Sequence, residues 1–500
     1  MGRNGCIILW ARKRLGWVLA LALLAGGLSA GLWLALRPKA APGPNPALLA
    51  ASEGLTEYRL TLRLHPEERI LAITENVTCQ NDSGQTLSDL TLRLWLNAFA
   101  SEETSPAALE ELYDVCYPNG FSPGEMTVHD VLWNGERAAY RFVNEDQTAL
   151  CLDIPAWEPG ERGELTLRCL ARIPNCAYRT GWTEGVWQLG NVIPLLSRWE
   201  DGAWRTEPYS PIGDPFVSDC ANFRITLELP EGFHPACTAP LSQGENGLWQ
   251  GEALCARDLA LCIYENGYSA QKRVGDTLLL SWGFSQAEAQ KALACAEGAL
   301  DALQRLYGPC PYPAVTLCQA RFPFGGMEYP GLVMVGEGQY ASGLEDTLEL
   351  TVTHELAHQW FYASVGSDQY RQPWQDEALC EYAMLRCVRA RYGQGSYETL
   401  KYYRADAPMM ETVPGSLTPG SPIDYFSSLE DYRSVVYGRG AALLLALDEL
   451  LPGGADGFLR AYAQAYAYQY VTRAQFEAFL STYAGMDTGP LLLDYLDTAR

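Results

Sequence analysis

The hydrophobic period changes once along this 500-residue chain, near Trp282, and that change restricts the fold more than any other feature. Before it, apolar residues recur every second position. Tyr58, Leu60, Leu62 and Leu64 alternate with Arg59, Thr61 and Arg63, and the runs Leu90–Leu96 and Phe223–Leu229 repeat the pattern. Successive side chains of a strand point to opposite faces, so such runs bury one face each. Asn81-Asp82-Ser83-Gly84, Asn134-Gly135 and Pro159-Gly160 punctuate them as turns. After Trp282 the spacing becomes helical. Ser285 to Tyr307 is rich in Ala, Leu, Glu and Gln and stops at Gly308-Pro309. Further helices are expected at about 345–363, 376–392, 431–451, 455–468 and 473–484, with a strand at Val315–Gln319 and a Gly-rich segment at Phe324–Val335. The fold class is therefore α+β: an all-β sandwich or saddle domain over 52–282, followed by a mainly helical domain over 283–500.

The first fifty residues are of a different kind. Leu15 to Leu36 is a run of 22 residues without a charge. As a helix it reaches about 33 Å, against roughly 30 Å of hydrocarbon in a bilayer. Arg12, Lys13 and Arg14 precede it and Arg37 and Lys39 follow, which favours residues 1–14 inside and the body outside. A single-pass, membrane-anchored protein with an extracytoplasmic body is expected. The alternative is a secreted body released by signal cleavage near Ser29-Ala30, although signal peptides have apolar regions of only about 7–15 residues. Residues 37–51, rich in Pro, Ala and Gly, read as a linker.

Charge and cysteine content exclude some functions. The chain has 36 basic and 60 acidic residues, a net charge of −24. Six of the basic residues (Arg3, Arg12, Lys13, Arg14, Arg37 and Lys39) lie before position 40, leaving 30 basic against 60 acidic groups, a net of −30. A body so negative repels phosphate backbones, and no nucleic-acid partner is expected. Of 15 cysteines, Cys310 and Cys318 flank a strand and form a candidate pair, while Cys380 and Cys387 read as helix packing. Asn76 and Asn81 begin glycosylation patterns.

Only five histidines are present, and two fall in His354-Glu355-Leu356-Ala357-His358. On a helix, positions i and i+4 lie one turn apart on one face, so both imidazoles can reach a single Zn²⁺. Glu355 projects beside them, placed to take a proton from a water at the metal. A catalytic zinc needs a third protein ligand and an open position. Glu377, 19 positions after His358 in Trp374-Gln375-Asp376-Glu377-Ala378-Leu379, can supply it from a second helix. Glu381, one turn on, is a candidate to accept the second N–H of a ligand imidazole, or a solvated helix charge.

His-Glu-x-x-His, 18 residues and Glu resembles the gluzincin peptidases, and specifically the aminopeptidase N family. Phe324-Gly325-Gly326-Met327-Glu328-Tyr329 is similar to that family's Gly-x-Met-Glu-Asn exopeptidase segment, and Val435-Val436-Tyr437-Gly438-Arg439-Gly440-Ala441 to its Tyr-x-Lys-Gly-Ala segment. Weaker similarity includes Gly213-Asp214-Pro215-Phe216. The resemblance implies a thermolysin-like catalytic domain carrying one Zn²⁺ and a peptidase acting on peptides with a free amino terminus. By this resemblance Glu355 is the general base and Tyr437 donates to the tetrahedral oxyanion. Glu328 pairs with the substrate's α-ammonium, and Gly325, Gly326 and Met327 line the bound peptide. The family's second acid for the amine comes from the β domain, and its motif matches no numbered residue here.

Three departures stand out. Tyr329 replaces the family's Asn and is expected to reshape the pocket for the first side chain. Arg439 replaces a Lys, and Asp376-Glu377-Ala378 stands where Asn-Glu-Gly is common. Larger members continue into a β module and a helical roof, so an open cleft is expected. That leaves a thermolysin-like endopeptidase as one alternative, and a non-catalytic peptide-binding protein on the same scaffold as another.

Overall fold

In a computed structural model, residues 42–499 are described apart from Ser342, Leu344 and Pro414. The apolar run 15–36 lies outside the described residues. Among the described residues no helix is long and apolar enough to cross a membrane.

The period-two runs form sheets. An eight-stranded sheet has Glu57–His65 at its centre, antiparallel to Ile70–Gln80 and parallel to Ala221–Glu228. Two four-stranded sheets accompany it. One is built on Leu87–Arg93 and Ala149–Trp157. The other runs His234–Cys237, Leu261–Tyr264, Val186–Leu189 and Thr180–Thr183. The inward residues of all three, including Leu60, Leu62, Leu90, Leu152, Leu167, Phe223 and Tyr264, form one continuous core. This is the alternation expected of sandwiched sheets.

A five-stranded sheet joins this part to the helices. Its order is Tyr268–Val274, Thr277–Gly283, Ala314–Ala320, Leu332–Gly336 and Gly326–Met327. The sheet crosses position 282–283, where the sequence texture changes, because Leu278–Trp282 pairs in parallel with Ala314–Cys318. A parallel pair needs a crossover, and the helix Gln286–Tyr307 supplies it. Ser285 caps that helix by accepting from the Glu288 N–H, and Gly308 ends it at φ 100°. Its buried Ala289, Ala292, Ala296, Ala299, Leu300 and Leu303 repeat at three- and four-residue intervals.

The helices Glu345–Ala357 and Trp374–Tyr392 stand behind this sheet. The second is buried at every position from Trp374 to Leu385, so it is the middle element of the helical part. The helix expected over 431–451 is interrupted: Leu429–Tyr432 runs into a π-helical segment, Arg433–Arg439, before Gly440–Leu450 resumes α geometry. All fourteen described cysteines are free. Cys310 and Cys318 do not pair, because the strand Ala314–Ala320 carries Cys318 away from Cys310 and into contact with Cys262. Asn81 is 2% exposed and donates from Nδ2 to the carbonyls of Gln85 and Trp157, which removes it as a glycosylation acceptor.

Candidate metal centre and amine pocket

The helix Glu345–Ala357 carries His354, and His358 follows in the turn that closes it. The helix Trp374–Tyr392 presents Glu377 from its first turn. His354 Nε2 is 3.1 Å from His358 Nε2 and 3.2 Å from Glu377 Oε2, and His358 Nε2 is 3.5 Å from the same oxygen. Tetrahedral ligands at about 2.0–2.1 Å from a zinc stand roughly 3.3 Å apart. The triangle of donor atoms therefore has the right size for that ion.

The outer nitrogens support the same fit. His358 Nδ1 is 2.5 Å from Asp376 Oδ1, and Gln369 Nε2 donates to the other Asp376 oxygen at 2.6 Å. His354 Nδ1 is 3.2 Å from Glu381 Oε2, whose partner oxygen lies 2.8 Å from Arg404 Nε. A carboxylate can only accept, so a proton on each Nδ1 suits these neighbours and would leave each Nε2 lone pair for a metal. Glu381 is 1% exposed, not a solvated helix charge. Burial acts to raise the Glu377 carboxyl, but the His354 and His358 rings facing it, when protonated and without metal, outweigh it and hold the group well below the usual carboxylate range.

Glu355 projects from the same helix and is buried, which pushes its carboxyl up to about 7. The strand Gly326–Met327 lies against it: a Cβ on Gly326 would stand 2.3 Å from Glu355 Oε1 and 2.4 Å from its Cγ. Only glycine allows this approach. Gly325 has no such constraint, its nearest neighbour being Thr351 at 3.5 Å. Met327 pairs with Met334 and is buried. Glu328 follows at 4% exposure; burial pushes its carboxyl up and the nearby His358 pulls it down. Its Oε1 has no hydrogen-bond partner.

Tyr437 lies in the π-helical segment, a geometry often found at functional sites. Its hydroxyl donates to Glu377 Oε1 at 2.5 Å, and its ring stacks on His354 at a centroid distance of 5.6 Å. Gly440 lets this segment close on the Glu377 helix, since a Cβ there would meet Ala378 Cβ at 2.6 Å. Arg439 lies outside the site and donates to the carbonyls of Pro408 and Glu411.

His354, Glu355, His358, Glu377, Glu381, Gly326, Glu328 and Tyr437 thus converge, whereas Arg439 does not. The structure adds others. Asp214 reaches the site from the β-rich part, with a carboxylate oxygen within 4.8 Å of oxygens of Glu328 and Glu377. It is ion-paired with Arg179, whose guanidinium lies over the rings of Tyr178, Phe216 and Phe324. Asp376, Arg404 and Arg179 carry no motif of their own. The signal for Asp376 was its place beside a candidate ligand. Tyr329, expected to shape the first side-chain pocket, is instead fully buried, with its hydroxyl 2.7 Å from Asn191 Oδ1.

Two histidines and a glutamate from neighbouring helical segments, with a second glutamate between the histidines, form the donor set of a gluzincin-type metal centre. Residues 292–494 match the Peptidase family M1 domain. The chain is 29% identical over 177 residues to leukotriene A-4 hydrolase of Xenopus laevis, covering 32% of this chain and 27% of that protein. It is 23% identical over 408 residues to aminopeptidase N of Streptomyces lividans, covering 75% and 45%. The chain thus spans less than half the length of these curated relatives. Among solved structures it superposes on the M1 zinc metallopeptidase of Deinococcus radiodurans with a TM-score of 0.61 at 18% identity, covering 89% of this chain and 94% of that one. For native yeast leukotriene A4 hydrolase the TM-score is 0.64 at 14% identity, over 89% and 68%. Residues 292–494 thus match the M1 peptidase domain, and the chain is similar to aminopeptidase N-like proteins and shares the fold of M1 zinc metallopeptidases.

Proposed function

We propose that the protein is a zinc-dependent aminopeptidase that removes residues from peptides with a free amino terminus. His354, His358 and Glu377 would hold one zinc per chain. The observation that carries the reading is the pair of carboxylates, Glu328 and Asp214, set beside this donor cluster, with Glu328 Oε1 lacking a partner. Such a pair is a receptor for an ammonium group. An α-ammonium held there lies one residue's length from the donor cluster, so the first peptide bond is the one presented.

When bound, zinc supplies Lewis acidity to the substrate carbonyl and lowers the pKa of a water toward neutrality. The remaining work falls to the chain. Glu355 takes the proton of the attacking water at a carboxylate oxygen and returns it to the leaving nitrogen. Tyr437 turns its hydroxyl from Glu377 toward the substrate oxygen as negative charge develops there. The strand Gly326–Met327 is paired on one side only, with Leu332–Gly336, and offers its other edge to the peptide backbone. Asp376 and Glu381 hold the two imidazoles in orientation.

The uncharged run 15–36 and its basic flanks support a single-pass anchor with the body outside the cytoplasm. Retention of the full chain in alkali-washed membranes, and release of a chain starting at residue 52, would test it.

The activity is tested by digesting a peptide and its N-acetylated twin side by side with mass-spectrometric readout. Successive loss of single residues from the free peptide alone is expected. Internal cuts in both would establish the endopeptidase alternative, and cutting of neither by zinc-loaded protein would remove the peptidase reading.

A further inference from the structure

The buried Tyr329 begins a hydrogen-bonded chain that leaves the active site and ends in the β-rich part. Its hydroxyl donates to Asn191 Oδ1 at 2.7 Å. Asn191 Nδ2 donates to Asp258 Oδ2, and Asp258 Oδ1 accepts from the Leu259 N–H at 2.6 Å. The three side chains are 0%, 1% and 2% exposed. At its other end, the Tyr329 carbonyl accepts from Gln359 Nε2 at 3.2 Å, and Gln359 Oε1 accepts from the Gly331 N–H at 2.8 Å. Gln359 is the residue after His358. Tyr329 is therefore gripped at both its backbone and its hydroxyl, and it is covalently next to Glu328.

The local backbone is built around this grip. A Cβ on Gly190 would stand 1.9 Å from the Tyr329 hydroxyl oxygen, so glycine is required for the ring to enter. Asn191 has φ 56°, a left-handed conformation that costs most residues energy and that Asn tolerates best. The same connection anchors the second acid. Gly190 N–H donates to the Arg179 carbonyl at 3.0 Å, and Arg179 is the ion-pair partner of Asp214. Both carboxylates assigned to the amine are thus set from one place, the segment joining Val186–Leu189 to Leu195–Leu196.

We propose that Tyr329, Asn191 and Asp258 are positioning residues that fix Glu328 and so set the selectivity for a free amino terminus. The proposal rests on the aminopeptidase reading. None of the three touches the substrate. They act because Tyr329 is the residue next to Glu328, so the grip on its hydroxyl adds to the pairing of Met327 with Met334 in fixing the Glu328 backbone, while Glu328 Oε1 itself has no partner. Replacing Tyr329 by Phe removes one hydroxyl and leaves the ring in place. Burying an unmade hydrogen bond is worth about a factor of ten.

The experiment compares wild type, Tyr329→Phe, Asp258→Leu and Asp258→Asn with aminoacyl-arylamide substrates. Zinc content and melting temperature are measured in parallel. In Tyr329→Phe, KM is expected to rise roughly tenfold with kcat within about twofold and zinc content unchanged. Inhibition by a free amino acid amide should weaken by the same factor, while inhibition by its N-acetyl derivative should not move. Asp258→Asn keeps one accepting oxygen but turns its NH2 toward the other donor, so it should fall between wild type and Asp258→Leu, and Asp258→Leu should resemble Tyr329→Phe. If wild type distinguishes free from acetylated amines and Tyr329→Phe does so equally well, the positioning role is overturned and the aminopeptidase reading stands. If wild type shows no such preference, both fall. Loss of kcat and zinc together in Tyr329→Phe would mark a merely structural role and also overturn the proposal.

Discussion

Glu75 breaks the alternation of the strand Ile70–Gln80. Leu71, Ile73, Val77 and Cys79 face the core on the same side, and Glu75 sits among them at 0% exposure. It faces Leu60 on one neighbouring strand and Leu167 on the other. Neither carboxyl oxygen has a hydrogen-bond partner. Burial pushes its pKa well above the usual carboxylate range. The titratable groups it acts on, Tyr58 and Cys169, are themselves buried and held neutral. Glu75→Leu completes the apolar stripe. Where the carboxyl is protonated in both folded and unfolded chains, removing an unsatisfied buried polar group should stabilise by about 1–3 kcal/mol. The pH dependence has a definite sign. The folded-state pKa is raised, so above the unfolded value near 4.3 the unfolded chain releases a proton that the folded chain keeps. Wild-type stability therefore falls by about 1.4 kcal/mol per pH unit until the folded pKa is reached, and the advantage of Glu75→Leu grows at that rate. For a unit of 150–250 residues each kcal/mol moves the melting temperature by about 2–4 °C. Scanning calorimetry of both proteins at pH 5, 6, 7 and 8 reads this directly. A difference that stays constant across the series, or a Leu variant less stable than wild type, would refute the reasoning.

Gly326→Ala should push Glu355 out of place and lower kcat by about 10²-fold with zinc retained, which kinetics and metal analysis together would show. Tyr437→Phe removes one donor to the developing oxyanion, and a loss of about 10²–10³ in kcat with little change in KM is expected. Asp376→Ala should weaken zinc binding by about 10–100-fold in a chelator competition, whereas Asp376→Asn, which still offers an acceptor to His358 Nδ1, should lose much less.

What was legible in the sequence was what local geometry fixes. The spacing of His354, Glu355 and His358 specifies their arrangement as soon as the segment is helical, and Glu377 and Glu381 share one face of a second helix. The two hydrophobic periods likewise separate sheets from helices. Residues that meet only through tertiary structure were not legible. Asn191 reaches Tyr329 across 138 positions and Asp258 across 67, and nothing local marks either. Asp214 was noted as part of a segment, but its approach to Glu328 depends on how the β-rich part packs on the helices. The strands Tyr268–Val274 and Thr277–Gly283 are readable as strands, whereas the parallel partner of the second, Ala314–Ala320, lies beyond a 22-residue crossover helix. The π-helical turn at Arg433–Arg439 also has no periodic signature, since its residues alternate as a helix would. Glu75 was legible: an acid in an inward register position is visible in the alternation alone.

The central claim is that His354, His358 and Glu377 hold zinc while Glu355 moves the proton. Glu355→Gln separates the two, because it keeps the side chain's shape and removes its basicity. The decisive measurement is zinc per chain and kcat on an aminoacyl-arylamide for wild type and this variant. The account predicts one zinc per chain in both and a fall in kcat of about 10²–10⁴ in the variant. Turnover at the wild-type rate, or a wild-type protein that binds no zinc, would contradict it.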